Sequence, residues 1–389
     1  LDDEGNSLPA EKEGNLVFFS EKVNEIDRER ADLVVHAIET KRIFNTALTE
    51  VFTPLPSTRL HNSLTVTSGL GVTAGGQQLS LKGDRDTIQT VVEFISPPDY
   101  ETARTRLLNE SRQRSTRHII YLLGRTPDDL YEKVSEIYRS REIANRHRND
   151  PEQEVREYCL SQLDRAAALM QELESLLKNK LTKGSFIFHG KATAVEILSQ
   201  DLLDAAKKHL VDVAKQVFDR YDEAPVRMET NLAEKLLKTE NLNAITSDID
   251  PLGLVKMVNQ VPIIQSNHKA LVSIKDYLEQ SGMVDGKRLT DHFTAAPFGW
   301  SPDTLRYMVA ILLVNSEIKL KVSGREITVP GQQAIDALRT NNTFRSVSVT
   351  LQDEKLPPGI LARAAQRLTE LSGETVIPLA QNISKTGIR

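Results

Sequence analysis

Eleven arginines and lysines stand between Arg104 and Arg148 against six carboxylates, so a chain of net charge -5 carries a local excess of +5. Guanidinium groups grip phosphate through paired N–H donors, and each phosphate neutralised releases counterions. The densest run interleaves Arg112, Arg114 and Arg117 with Ser111, Ser115 and Thr116. Hydroxyls of this kind also bond phosphate oxygens, so the run is expected to touch duplex DNA without reading its sequence. The plainer expectation is a solvated helical surface laced with ion pairs. A second basic set, Lys319, Lys321 and Arg325, falls on a candidate β-ribbon. It too could meet phosphates, a contact that needs charge rather than a base-matching pattern.

Other chemistry lacks its spacing. A P-loop has four residues between its glycines followed by Lys-Ser or Lys-Thr, whereas Gly282-Met283-Val284-Asp285-Gly286-Lys287-Arg288 has three and then arginine. Gly69-Leu70-Gly71 and Gly75 lack the third glycine position and following helix of a dinucleotide loop, and read as turn residues. The eight histidines never fall at zinc-site spacings, and the single cysteine, Cys159, builds neither a thiolate site nor an internal disulfide. No serine lies in a Gly-x-Ser-x-Gly elbow. No catalytic residue, bound cofactor or metal is therefore expected, although a hydrolase site assembled only in three dimensions would escape such a search.

With 39% hydrophobic and 26% charged residues over 389 positions, the chain has a soluble protein's composition and room for several modules. No apolar run reaches membrane-spanning length. One cysteine and no signal peptide fit a reducing cytoplasm. The acidic balance confines any nucleic-acid contact to a local surface.

The elements that would position these residues are legible from periodicity. From Asn267 to Val329 the pattern is three helices and a two-stranded ribbon, a winged helix. Its third helix opens with Ser301 as N-cap, Pro302 at the first turn and Asp303 at the positive end of the dipole. Leu305, Met308, Val309, Leu312 and Leu313 then recur at helical spacing, while Tyr307, Ile311 and Val314 make the opposite face apolar too. Only Thr304, Arg306 and Asn315 are left to meet base edges, which favours a packing or docking helix over a reading one. Trp300, beside Phe298 and just before the cap, is expected to be buried, with Leu305 in contact and Arg306 as a cation-π partner. Strands are expected over Glu317–Val322 and Glu326–Val329, turning at Ser323-Gly324.

Elsewhere the spacing predicts one amphipathic helix within Asp27 to Phe52 and a small sheet between Arg59 and Ser96. A long helix follows Asp150-Pro151, whose Cys159, Leu163, Ala166, Met170, Leu173 and Leu177 keep a coiled-coil rhythm. Leu203, Ala206, Leu210, Val213 and Val217 repeat it, so the two are expected to form an antiparallel pair, with homotypic pairing and hence an oligomer as the alternative. The division that results is linker and amphipathic helix at 1–57, a small α/β domain with basic helices at 58–148, and a helical pair with an intervening strand at 149–245. The winged-helix-like domain at 246–330 and an α/β cap at 331–389 complete it. The cap comprises a helix at Gln332–Arg339, a strand at Phe344–Leu351, a helix from Pro358 to Gly373 and a strand at Thr375–Ile377. The fold class is α+β, multi-module and mostly helical with small sheets.

The run His292-Phe293-Thr294-Ala295-Ala296-Pro297-Phe298-Gly299-Trp300-Ser301-Pro302-Asp303-Thr304-Leu305-Arg306 resembles the BREX phage-defence P-loop ATPase family, BrxC or PglY. Weaker similarity runs in the same order through Pro56–Gly71, Lys183–Gly190 and Asn341–Thr350. The resemblance implies a C-terminal portion of a larger protein, whose ATP and Mg are held elsewhere and which restricts phage replication within a complex of other BREX components. The resulting expectation is a non-catalytic assembly and nucleic-acid-handling region. The competing expectation is a sequence-specific winged-helix regulator.

Overall fold

Ile119 to Gly124 are buried without a break, as a strand covered on both faces requires. This strand, Ile119–Arg125, lies inside a six-stranded mixed sheet. On one side it runs parallel to Gln89–Ile95, which is parallel to Gly69–Ala74 and followed by the edge strand Gln77–Lys82. On the other side Ser185–Phe188 pairs antiparallel with it, and Lys191–Ala194 closes that edge. The crossover helix Tyr100–Glu110 covers one face, where Tyr100, Ala103 and Leu107 pack with Val91, Ile119, Tyr121, Leu123 and Ile187. The structure is a computed structural model describing residues 10–12, 15–17, 20–74, 77–84, 87–239, 242–259, 261–352 and 358–373, with 376 and 383.

This sheet belongs to the first of two compact units, made of residues 1–58 and 66–214; the second comprises 59–65 and 215–389. The five segments drawn from the sequence therefore merge, and the boundaries at 148 and 330 both cut through sheets. Strands 185–188 and 191–194 complete the sheet begun at Gly69. Strand pairing is set by long-range register, which local periodicity does not encode.

The helical layer of the first unit also departs from expectation. In place of one helix within 27–52 there are two, Glu21–Asp32 and Ala37–Val51, because Leu33 leaves helical geometry at ψ 122°. The long helix Gln153–Thr182 buries Cys159, Ala166, Met170, Leu173 and Leu177 as its rhythm implied, but Leu163 is exposed. Its chief partner is Leu130–His147, with Ala37–Val51 next, rather than the helix Leu202–Val217. Val155, Tyr158 and Cys159 join Val23, Ile26, Ile143 and Ala144 in one cluster, and Ser140 donates to Gln162 at 3.0 Å inside that interface. A heptad stripe identifies a buried face without naming what buries it.

The second unit contains the three expected helices, Lys269–Ser281, Gly286–Thr294 and Pro302–Val314. Ser301 caps the third by accepting from the Thr304 amide at 3.1 Å. The wing strands are Ile318–Val322 and Arg325–Ile327, turning on Ser323 and Gly324, both of positive φ. Ser348–Leu351 pairs antiparallel with Ile318–Val322 and with Val284–Asp285, so the strand assigned to a separate cap lies inside the wing sheet. That strand starts later than expected, because Thr340 caps a short helix, Asn341–Phe344, that takes in the first residue of the expected range. The helices Gln332–Leu338 and Pro358–Ser372 form near their expected bounds. The strand expected at 375–377 and much of the linker expected at the start of the 1–57 segment fall outside the described residues. Among the described residues no helix is long and apolar enough to cross a membrane.

Candidate nucleic-acid interface

The loop after Glu110 is built by its hydroxyls. Ser111 donates to Leu108 O at 3.0 Å and accepts from the Gly190 amide at 2.9 Å; Thr116 donates to Glu110 O at 2.7 Å. Both are buried, so they hold the loop instead of facing a ligand, contrary to the expectation that they would join the arginines on phosphate. Ser115 stays exposed, and beside it Arg112, Arg114 and Arg117 are exposed on the outside, none forming an ion pair among the described residues.

The other basic residues of the segment are mostly committed. Arg104 meets Glu101 at 3.5 Å, Arg106 bridges Glu93 and Glu110, and Lys133 reaches Glu172 at 2.8 Å. Arg139 pairs with Glu136 at 3.2 Å, Arg146 with Glu29 at 3.0 Å, and Arg125 lies 4.1 Å over the Tyr100 ring. Arg141 is half-buried, and burial together with Arg42 pulls its pKa down. Most of the helical cations of the +5 segment are thus engaged, and the loop, with Arg148 at the far end of the helix Leu130–His147, is the part left to solvent.

A hairpin turn seventy residues further along extends that part. His189 and Gly190 have φ of 45° and 74°, the paired left-handed conformation of a tight two-residue turn. The His189 ring stacks on Phe188 at 4.0 Å, and its Nε2 lies 3.1 Å from Arg117 O. Arg112 runs over Gly190, where a Cβ would stand 2.3 Å from its Nε. Exposed His189 and Lys191 therefore border the arginine loop. Sequence reading missed both because strand pairing brings them there; the His-Gly turn between two strand patterns was the one available signal.

The wing cations do not form one surface. Lys321 is opposite Glu326, and Val322 opposite Arg325, which sends Arg325 to the face away from Lys319 and Lys321. Lys319 is bound to Glu326 at 3.4 Å, and Lys321 is half-buried.

The third helix offers no reading face. Every residue from Thr304 to Val314 is buried. Thr304 donates to Val226 O at 2.6 Å, and Asn315 bonds Ser266 and Glu317. Arg306, expected to be available, is 0% exposed, paired with Asp303 at 2.7 Å and donating to Thr230 O. Burial lowers its pKa, with Asp303 opposing. Trp300 is 1% exposed and stacks on Phe293 at 4.9 Å and 3°, with Phe298 4.7 Å away, so it joins the second helix to the third. The cation-π partner falls elsewhere than expected: Arg220 lies 4.5 Å over Phe298, while Arg306 is taken by Asp303.

Gly282 to Arg288, the nearest approach to a P-loop, end one helix and begin another. Gly282 terminates Lys269–Ser281 at φ 71°, and Asp285 caps the next helix by accepting from the Arg288 amide at 2.7 Å. Among the described residues no three histidine, cysteine or acidic side chains cluster as a metal site would need.

Residues 235–352 match the family model of the winged helix-turn-helix domain of the BREX ATP-binding protein BrxC. The match begins before the first helix of the motif and ends with the strand Ser348–Leu351, which the wing sheet requires. No curated protein and no solved structure matches the chain.

Proposed function

We propose that this chain, a BREX protein of the BrxC family, acts as a non-enzymatic assembly and nucleic-acid-handling region. In this reading the winged helix docks and packs, and the loop bearing Arg112, Arg114 and Arg117 contacts duplex DNA through phosphates alone. The observation that carries it is the contrast within one basic segment: five of its eleven cations are ion-paired and Arg125 lies over Tyr100, while these three stand exposed on a loop tied down by Ser111 and Thr116. Cations without an intramolecular partner keep their full attraction for a polyanion. His189 and Lys191 widen the same surface.

Sequence-specific regulation is the weaker reading, because it needs exposed polar side chains on the helix Pro302–Val314 and those present are hydrogen-bonded inside the protein. Nucleotide handling, suggested by the description of the matched family as ATP-binding, has no part in this reading of the described residues. Other BREX components are the partners such a region would join.

Fluorescence anisotropy with duplexes of unrelated sequence tests the DNA contact. Binding should be indifferent to sequence and steeply salt-dependent. Changing Arg112, Arg114 and Arg117 together to alanine should lower the salt slope by roughly 3 units, at about 0.9 per lost phosphate contact. An unchanged slope would remove DNA from the function of this loop.

A further inference from the structure

The second unit contains a separate two-stranded hairpin, Val255–Val258 paired with Val261–Ile264. A hairpin of two strands is marginal on its own in water. This one nevertheless exposes apolar side chains, with Met257 58%, Val258 44%, Val261 40% and Ile263 44% accessible. Alternation puts Val258, Val261 and Ile263 on one face together with Lys256.

Its two outer edges differ. Val258 faces Val261 across the turn, so 258/261 and 256/263 exchange hydrogen bonds, while residues 255, 257, 262 and 264 direct their backbone groups outward. The Val255 amide does point out, since it donates to Asp250 Oδ2 at 2.7 Å. On the second strand the outward position is Pro262, which has no N–H, the device by which an edge refuses a further strand. On the first strand the N–H and C=O of Met257 and the C=O of Val255 remain for a partner, on a stretch whose residues 256–258 are exposed.

At the hairpin's base lies a cleft of about 520 Å³ lined by Lys256, Lys269, Gln265, Asn267, His268 and acidic residues. The acids are engaged: Glu223 by Arg220 at 2.7 Å and by Ser273 at 2.6 Å, and Asp222 by His61 at 2.7 Å. Lys256 and Lys269 form no ion pair among the described residues, which leaves the cleft's cations seeking a carboxylate.

We propose that the outer edge of Val255–Val258 receives an extended apolar peptide segment of a partner protein as an added strand, with an acidic end of that segment seated at Lys256 and Lys269. Strand addition takes its affinity from backbone hydrogen bonds and its specificity from alternate side chains, and both are provided here. A second copy of this chain is disfavoured by size: four side chains and one short edge fall far below the roughly 800 Å² per partner that a stable dimer buries.

The probe is a fluorescent peptide alternating valine and threonine and ending in two aspartates, titrated against the whole chain by anisotropy. Saturable binding in the range of about 1 to 100 μM is expected, lost about tenfold or more in Met257→Pro. Proline suits that position because its amide faces outward, as Pro262 does directly opposite. An unchanged thermal melt would show that the variant folds. The same peptide methylated on alternate backbone nitrogens should not bind, and Lys256→Glu with Lys269→Glu should weaken binding while leaving duplex DNA affinity at the arginine loop intact. The proposal is overturned by absent binding, by equal binding of the methylated peptide, or by concentration-dependent dimers that Met257→Pro dissolves.

Discussion

Arg112 extends across Gly190, occupying the space a β-carbon would fill 2.3 Å from its Nε. The glycine is doubly required, by this close approach and by its φ of 74°. Gly190→Ala should cost about 1 to 2 kcal/mol through left-handed backbone strain and push Arg112 aside. Denaturant unfolding checks the first effect. A duplex-binding salt slope reduced by about 0.9, the share of a single phosphate contact, checks the second.

Trp300 stacks on Phe293 and meets Phe298 at a tilt at the junction of two helices. Trp300→Ala should cost about 3 to 5 kcal/mol and sharply lower the melting temperature of the second unit. As the sole tryptophan, it should also resist iodide quenching in the folded chain. A variant that melts like the parent would deny the residue its stapling role.

The pairing of fully buried Arg306 with half-buried Asp303 sets up an asymmetry. Asp303→Ala leaves a guanidinium at 0% exposure without its counter-ion and should destabilise by about 3 to 5 kcal/mol. Arg306→Met removes the buried charge and keeps much of the volume, so it should cost clearly less. Equal losses in urea titrations would contradict the burial of the charge.

His209 is stacked on Phe186 at 4.7 Å, its Nε2 has no hydrogen-bond partner among the described residues, and burial pulls its pKa from 6.5 to about 4. Its folded state therefore binds fewer protons than its unfolded state between those values, so stability falls as pH drops from about 6.5 toward 4. The loss should approach about 3 kcal/mol. In His209→Leu the dependence of the denaturation midpoint over that window should flatten by this amount.

Helix starts were legible where the signal is local. Ser301-Pro302-Asp303 fixes the third helix because a cap is decided by residues within one turn, and the structure has that cap at 3.1 Å. The all-round apolar character of Leu305 to Val314 likewise translated directly into burial. Pairings were not legible. Arg146 could be seen as basic with Glu142 one turn away, but its second partner, Glu29, lies more than a hundred residues earlier and could not be foreseen. The same holds for Ser348–Leu351, whose four residues suit many sheets, and for Lys191, which strand register alone carries to the arginine loop. The candidate interface was half readable: the arginines announced themselves, while the buried duties of Ser111 and Thr116 depend on contacts with Gly190 and Glu110 that composition does not reveal.

The strand Ser348–Leu351 lies between Val284–Asp285 and Ile318–Val322, although it is the last of them in the chain. On the ribosome, both flanking strands therefore emerge before the one that joins them. The ribbon 318–327 must wait with its inner backbone groups bound to water, for the time taken to synthesise and release some further stretch of chain. During that interval its inner edge is a competent template for any other strand. Folding of this sheet is thus tied to the completion of translation through residue 351, and slowing elongation between the wing and that strand should raise the fraction of chains captured by chaperones or lost to aggregation.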